Sequence, residues 1–266
     1  MTPYDPSDLK LGHGTHPGET GKNNEDNYSV SVYHADDGGL ITLGVVADGV
    51  GGRRAGEVAS SLVVKTITDA VAQSQERDYK RMLELAVVQA ALVMAEEAKN
   101  PDYFGMASTC AIALVAGRKL YTAYVGDSRL YFVHNGLIRQ TSVDHTWIQE
   151  AIEHGILTRD EAKDHPNKHV LRRHLGKDAN VRPDFRLRLY DSETPAQAEK
   201  NQGLELEPGD RILICSDGLS DLVEPEEISE KLLKQEPQAA VDALILLARA
   251  RGGHDNITVI ALQVPE

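Results

Sequence analysis

Long apolar runs are missing from this chain. No stretch of about eighteen apolar residues occurs, so no transmembrane helix is expected. The opening residues, Met1 to Lys10, are polar and carry no apolar signal core. Basic charge is also short: 28 lysines and arginines face 41 aspartates and glutamates, for a net charge of −13. That balance argues against nucleic acid as a partner, because such binding needs a basic footprint. Cysteine is scarce. Cys110 and Cys215 both lie in apolar strand-like runs, which reads as reduced core thiols in a cytoplasmic protein and not as a disulfide framework. Repeats, low-complexity tracts and composition breaks are absent, so one domain spanning residues 1–266 is expected. A monomer is the expectation for its assembly, one that composition does not decide. With 41% apolar residues the chain can bury a sizeable core.

Apolar periodicity predicts early strands over Val30–Tyr33 and Leu40–Ala47. A helix follows over Ala55–Gln73, with Val58, Leu62 and Ile67 roughly on one face. A second helix, Tyr79–Lys99, carries Met82, Leu85, Ala86, Leu92 and Val93 on its buried stripe and ends at Asn100-Pro101. Thr109–Val115, Lys119–Val125 and Leu130–His134 read as an antiparallel meander, and Asn135-Gly136 as a hairpin turn before Leu137–Gln140. His145–Lys163 reads as two short helices broken at His154-Gly155, with Thr158 as an N-cap. Asp184–Leu189 is strand-like, and Asp191–Gly203, with Pro195, reads as a surface loop. Arg211–Cys215 and Ile257–Leu262 are strands, with helices over Glu226–Leu233 and Gln238–Arg251 between them. Strands with hairpin turns, alternating with helix pairs, favour antiparallel sheets covered by helices over a parallel sheet.

Three apolar strands end in an aspartate: Val45-Val46-Ala47-Asp48-Gly49, Ala123-Tyr124-Val125-Gly126-Asp127 and Leu213-Ile214-Cys215-Ser216-Asp217-Gly218. A carboxylate at the tip of a buried strand needs compensation. Asn24-Glu25-Asp26 near the start and Asp255-Asn256 near the end repeat the pattern. Singly, each has an ordinary reading: an Asp-Gly turn, a charged loop, a strand-start turn, or for Asp221 a helix N-terminal charge. Asp221 lies one helical turn after Asp217, so both can face one point if that segment is helical. Glu25 and Asp26, adjacent in a strand, point to opposite faces, so one can ligate an ion directly and the other through water. Taken together, the acids suggest one shared cluster of hard divalent cations.

In this order and spacing, Asn23-Asn24-Glu25-Asp26-Asn27, Asp48-Gly49-Val50-Gly51-Gly52, Gly126-Asp127-Ser128-Arg129, Ser216-Asp217-Gly218-Leu219-Ser220-Asp221 and Asp255-Asn256-Ile257-Thr258 resemble the metal-dependent protein phosphatases of the type 2C class (the PPM family), in their compact bacterial form. The resemblance runs from about Leu11 to Val264. It includes Met106-Ala107-Ser108-Thr109 and a segment of about 144–178 that resembles the family's mobile flap. It implies an α+β fold, a four-layer αββα sandwich with two central, mainly antiparallel sheets flanked by helices. It also implies two Mn²⁺ or Mg²⁺ ions bridged by Asp48 and completed by Glu25, Asp217, Asp255 and the carbonyl of Gly49. Asp26 would ligate through water, and Asp127, Asp217 and Asp221 would hold a weaker third ion. Asp48, Asp217 and Asp255 would then carry catalysis, the attack of an activated water on a phosphoserine or phosphothreonine of a protein substrate. Family members often oppose Ser/Thr kinases, so a kinase or its targets is an expected partner.

The chain departs from the family pattern in its first motif. Gly21 stands where the phosphate-gripping arginine is usual, and His16 where an aspartate is usual. Lys22 is expected to replace the arginine in part, as a point charge and not a bidentate fork. Val50 takes the place of a histidine general acid, leaving His165 and His254 as candidates. Arg53-Arg54 and Arg172-Arg173 are further cations that would meet either phosphate or solvent. Two other readings compete: a catalytically weak relative that binds or senses a partner, and a metal-dependent phosphodiesterase or nuclease. The intact acid set argues against the first, the net charge against the second.

Overall fold

The computed structural model describes residues 2–3, 8–35, 38–51, 55–162 and 165–266. Its strands are β1 (Thr2–Pro3), β2 (Lys10–His16), β3 (Asp26–His34), β4 (Leu40–Val50), β5 (Ala107–Ser108), β6 (Cys110–Ala116), β7 (Lys119–Val125), β8 (Arg129–His134), β9 (Leu137–Gln140), β10 (Leu204–Glu205), β11 (Arg211–Cys215) and β12 (Ile257–Gln263). Its helices are α1 (Ala55–Gln73), α2 (Tyr79–Glu97), α3 (Trp147–Glu153), α4 (Arg159–Ala162), α5 (Pro195–Lys200), α6 (Asp217–Ser220), α7 (Pro225–Lys234) and α8 (Pro237–Ala250). Among the described residues the strands form two antiparallel sheets. One runs β1-β3-β4-β6-β7-β10, with β5 pairing on β4; the other runs β2-β12-β11-β8-β9.

Strand alternation divides the side chains among three apolar layers. Leu43, Val45 and Ala47 of β4, with Cys110, Ile112 and Leu114 of β6, face α1 and α2. Val46, Ala111 and Ala113 point the other way and meet Ile212, Ile214, Leu130 and Ile260 of the second sheet. Leu213, Cys215, Tyr131, Val259 and Ala261 turn outward onto α7 and α8. The result is helix, sheet, sheet, helix, the expected α+β sandwich. Each aliphatic side chain so buried contributes roughly 1.5–3 kcal/mol. Gly44 permits the close approach of the two sheets, since a Cβ there would lie 2.9 Å from Ile214 Cδ1.

Four sequence expectations need correction. The meander is broken: β6 and β7 pair in the first sheet, but β8 crosses to the second and pairs with β9 and β11. The switch occurs at Gly126 (φ +107°), immediately before Asp127. Asp184–Leu189 forms one bridge, Tyr124 with Asp184, and no strand among the described residues. Asp191–Gly203 contains a helix, α5, because Pro195 stands at its first turn, where it is tolerated. Thr194 and Gln197 form a capping box ahead of it. On α2 the buried stripe is Met82, Leu83, Ala86, Val87, Ala90, Ala91 and Met94, whereas Leu85 and Leu92 are 44% and 55% exposed. The Asn135-Gly136 hairpin is as expected, with both residues at positive φ. Cys110 and Cys215 are buried free thiols. Among the described residues no helix is long and apolar enough to cross a membrane.

Candidate metal centre

The acids gather where the strands of both sheets end together. Asp26 opens β3 and pairs in register with Asp48 on β4. Glu25, just before, is held by its backbone: its N–H donates to Asn256 Oδ1 (2.7 Å), and its carbonyl accepts from Gly49 N–H (3.1 Å). Asn256 also donates through Nδ2 to the carbonyls of Pro17 (3.0 Å) and Asn23 (3.2 Å), so one buried amide ties the first motif to the last. Asp48 N–H donates to Thr109 Oγ1 (2.9 Å), and its carbonyl accepts from Thr109 N–H (2.9 Å).

Glycine makes the approach possible. A Cβ on Gly49 would lie 2.0 Å from the Gly56 carbonyl oxygen, and one on Gly56 would lie 2.6 Å from the Glu25 carboxyl. A Cβ on Gly218 would meet the Asn256 carbonyl at 2.0 Å. Asp217 begins α6, and the helical turn expected of that segment is present: Asp221 N–H donates to the Asp217 carbonyl (2.8 Å).

The cluster is under electrostatic stress. Burial raises the pKa of Asp48 well above the usual carboxylate range, and the charges of Asp26, Asp217, Asp127 and Asp255 raise it further. Asp26 is pushed up to about 7 and Asp127 to about 8, by burial first and by neighbouring carboxylates second. Glu25 and Asp255 are raised for the same reasons. Asp26 Oδ2 accepts from the Ser216 hydroxyl (2.7 Å), but Asp26 Oδ1 and Asp217 Oδ1 are buried without a hydrogen-bond partner. An all-oxygen set with orphaned carboxylate oxygens fits hard divalent cations, whose charge would oppose these shifts.

Of the seven acids that the sequence nominated, Glu25, Asp26, Asp48, Asp127, Asp217 and Asp255 act on one another electrostatically, and Asp221 follows Asp217 by one turn; among the described residues, the group whose possible ligand atoms all lie within 4.8 Å of one another is His169, Asp217 and Asp221. Lys22 is exposed, yet its charge lowers the pKa of both Glu25 and Asp255, which places it at the rim of the cluster. Gly21 adopts φ +73° with open space around its α-carbon. His16 Nδ1 accepts from Gly18 N–H (3.1 Å) and shapes the turn. His165 stacks on Trp147 with ring centroids 5.0 Å apart, and His254 is exposed. Arg172 pairs with Glu150 (2.9 Å), and Arg173 reaches Asp184 (3.5 Å) and the Arg182 carbonyl (2.7 Å), so both flap arginines are engaged by the protein. Arg53 and Arg54 lie outside the described residues.

Three contributors escaped the sequence reading. His169 of the flap segment sits 3.7 Å from Asp217 and 3.6 Å from Asp221, and Lys168 is 3.3 Å from Asp221. The Asp217 carboxylate, with Asp221 beside it, raises the His169 pKa. Asn256 was part of a motif, but its side-chain amide had no partner readable from sequence. No periodic signal marks Lys168 or His169, because only the path of the flap brings them to the acids.

A model of the protein phosphatase 2C family matches residues 13–244. The chain belongs to the protein phosphatase 2C family. It is similar to the serine/threonine protein phosphatase PstP of Mycobacterium tuberculosis, at 35% identity over 91% of this chain. It spans only 42% of that relative's length. Similarity to the serine/threonine phosphatase Stp of Listeria welshimeri is 32%, over 87% of this chain and 90% of the relative. Among solved structures, the catalytic domain of PstP in complex with two manganese ions aligns with a TM-score of 0.77 at 32% identity, covering 97% of this chain and all of that one. These relatives carry the name of Ser/Thr phosphatases, and the solved PstP catalytic domain shares the sandwich described above.

Proposed function

We propose that this chain hydrolyses phosphoserine and phosphothreonine in protein substrates, with divalent cations held by the strand-tip acids. The observation that carries the reading is the convergence of acids from the first and last motifs, with Asp26 Oδ1 and Asp217 Oδ1 buried and unpartnered. Glu25, Asp48, Asp217, Asp255 and the Gly49 carbonyl would hold two Mn²⁺ or Mg²⁺ ions, with Asp26 acting through water. Asp127, Asp217 and Asp221 would hold a third, weaker ion. When bound, such ions supply Lewis acidity, making water nucleophilic near neutral pH and neutralising phosphoryl charge. The protein's task is then to place the phosphorus in line between the attacking water and the serine or threonine oxygen. Water adds to phosphorus, the P–O bond to the side chain breaks, and the leaving oxygen takes up a proton. The acids fix the ion positions, and Lys22, at the rim beside Glu25 and Asp255, offers a point charge to a phosphoryl oxygen.

We place the chain in the cytoplasm as a monomer with one catalytic domain and a flap over about 144–178, acting on phosphorylated proteins such as a Ser/Thr kinase or its targets. The two buried free thiols support the cytoplasmic placement. The test is Mn²⁺-dependent phosphate release from a phosphothreonine peptide, with Asp217→Asn beside the wild type. Activity that requires the cation and falls at least a hundredfold in the variant is expected. A wild type that binds Mn²⁺ in calorimetry but releases no phosphate would instead favour a binding module.

A further inference from the structure

Asp127 directly follows the residue at which the chain passes from one sheet to the other. The chain switches sheets at Gly126, whose φ of +107° favours glycine, so only its backbone groups are there to be anchored. Both polar groups of that glycine are held by one residue. Gly126 N–H donates to His145 Nδ1 (3.0 Å), and His145 N–H donates to the Gly126 carbonyl (3.0 Å). His145 is 5% exposed and stacks on Tyr124 with ring centroids 5.3 Å apart.

The tautomer follows from these partners. A backbone N–H can only donate, so Nδ1 must present its lone pair, and the proton of the neutral ring is on Nε2. That proton points at Asp184 Oδ2, 3.1 Å away. Arg173 Nη1, 2.9 Å from Nε2, then cannot be donating to it, and its charge is met by Asp184 at 3.5 Å. Asp184 is itself fixed by Arg186, which donates to both of its oxygens (2.6 to 3.1 Å), and by backbone pairing with Tyr124.

The same residue joins both ends of the flap. Arg172 N–H donates to the His145 carbonyl (2.7 Å), and Thr146 bridges to Leu171. We propose that His145, held in its Nε2–H tautomer by Asp184, is a positioning residue for Asp127, linking the flap roots to that acid. The proposal rests on the reading of Asp127 as ligand of a weaker third ion, and its test separates the two.

The experiment compares the wild type with His145→Ala, His145→Asn and Asp184→Asn. The asparagine at 145 keeps an oxygen acceptor near the place of Nδ1. The first readout is hydrogen exchange of the Gly126 amide in cation-free protein. One buried hydrogen bond corresponds to about tenfold. Exchange should quicken about tenfold in His145→Ala relative to the amides of β4 and β11, and return most of the way in His145→Asn. The second readout is a Mn²⁺ titration by calorimetry and electron paramagnetic resonance. The tight class should be unchanged, and the weak class should weaken about tenfold in His145→Ala and Asp184→Asn. Unchanged Gly126 exchange in His145→Ala would overturn the proposal, as would tight and weak classes weakening together. A wild type with no weak class would remove the third-ion reading, while the exchange data still decide whether His145 holds the loop. If His145→Ala does not fold, the two-bond ¹⁵N–¹H spectrum of His145 in the wild type decides. A proton on Nδ1 would refute the arrangement, and one on Nε2 is expected.

Discussion

Replacing Asn256 by alanine should loosen the proposed metal centre without touching any of its ligands. The side chain is 6% exposed and makes three hydrogen bonds: from Glu25 N–H, and to the carbonyls of Pro17 and Asn23. Each contributes about 1 kcal/mol net, and the Glu25 N–H loses its acceptor, so the loss should be about 3 kcal/mol. For a chain of this size that is a fall in Tm of roughly 6–12 °C. The assay is thermal unfolding by circular dichroism in chelator, so that cation binding does not contribute. Repeated with excess Mn²⁺, the difference between variant and wild type should widen, because Glu25 is held in place through its own backbone and ions bind the folded state alone. A fall below about 3 °C in chelator, with equal stabilisation of both proteins by Mn²⁺, would refute the reasoning and reduce Asn256 to a spectator.

Other perturbations test the same centre. In chelator, the raised carboxyls mean that the folded state holds more protons than the unfolded one between about pH 4 and the folded values, about 7 for Asp26 and about 8 for Asp127. Stability of the cation-free protein should therefore fall as pH rises through that window and level off above it. Saturating Mn²⁺ should flatten or reverse the slope in urea titrations, and a cation-free protein whose stability rises from pH 5 to 8 would contradict the electrostatics. Gly56→Ala sets helix propensity, which favours alanine by up to about 1 kcal/mol, against a Cβ 2.6 Å from the Glu25 carboxyl. The clash should win, with a net loss of about 1–3 kcal/mol and weaker Mn²⁺ binding by calorimetry. Lys22→Ala should raise KM for a phosphopeptide about two- to fivefold with kcat unchanged, as expected for one exposed charge; an unchanged KM would leave Lys22 without a role in binding.

Much of the architecture was legible because it is local. The α1 span, the Asn135-Gly136 hairpin and β11 follow from periodicity and turn chemistry within a few residues. The errors arose where one residue type serves two purposes. Pro195 breaks a helix interior but suits a first turn, and the Thr194–Gln197 box decides between them. Leu85 and Leu92 are apolar yet exposed, since the face of α2 turned inward, against α1 and the first sheet, is the one that carries Ala86, Ala90 and Met94. The path of β8 into the second sheet turns on a single positive-φ glycine, whose direction no pattern encodes.

The sequence by itself nominated the acids of the proposed centre and determined their order along the chain. Acids at the tips of apolar strands are costly, and their number and order point to hard cations without any coordinates. Only the tertiary structure decided how those acids are held and what stands over them. Asn256 reaches Glu25 across 231 positions, His145 grips Gly126 from the flap root, and His169 leans over Asp217 and Asp221. Such partners are chosen by the folding of distant segments onto one another, and a hydrogen bond between them leaves no trace in the spacing of either.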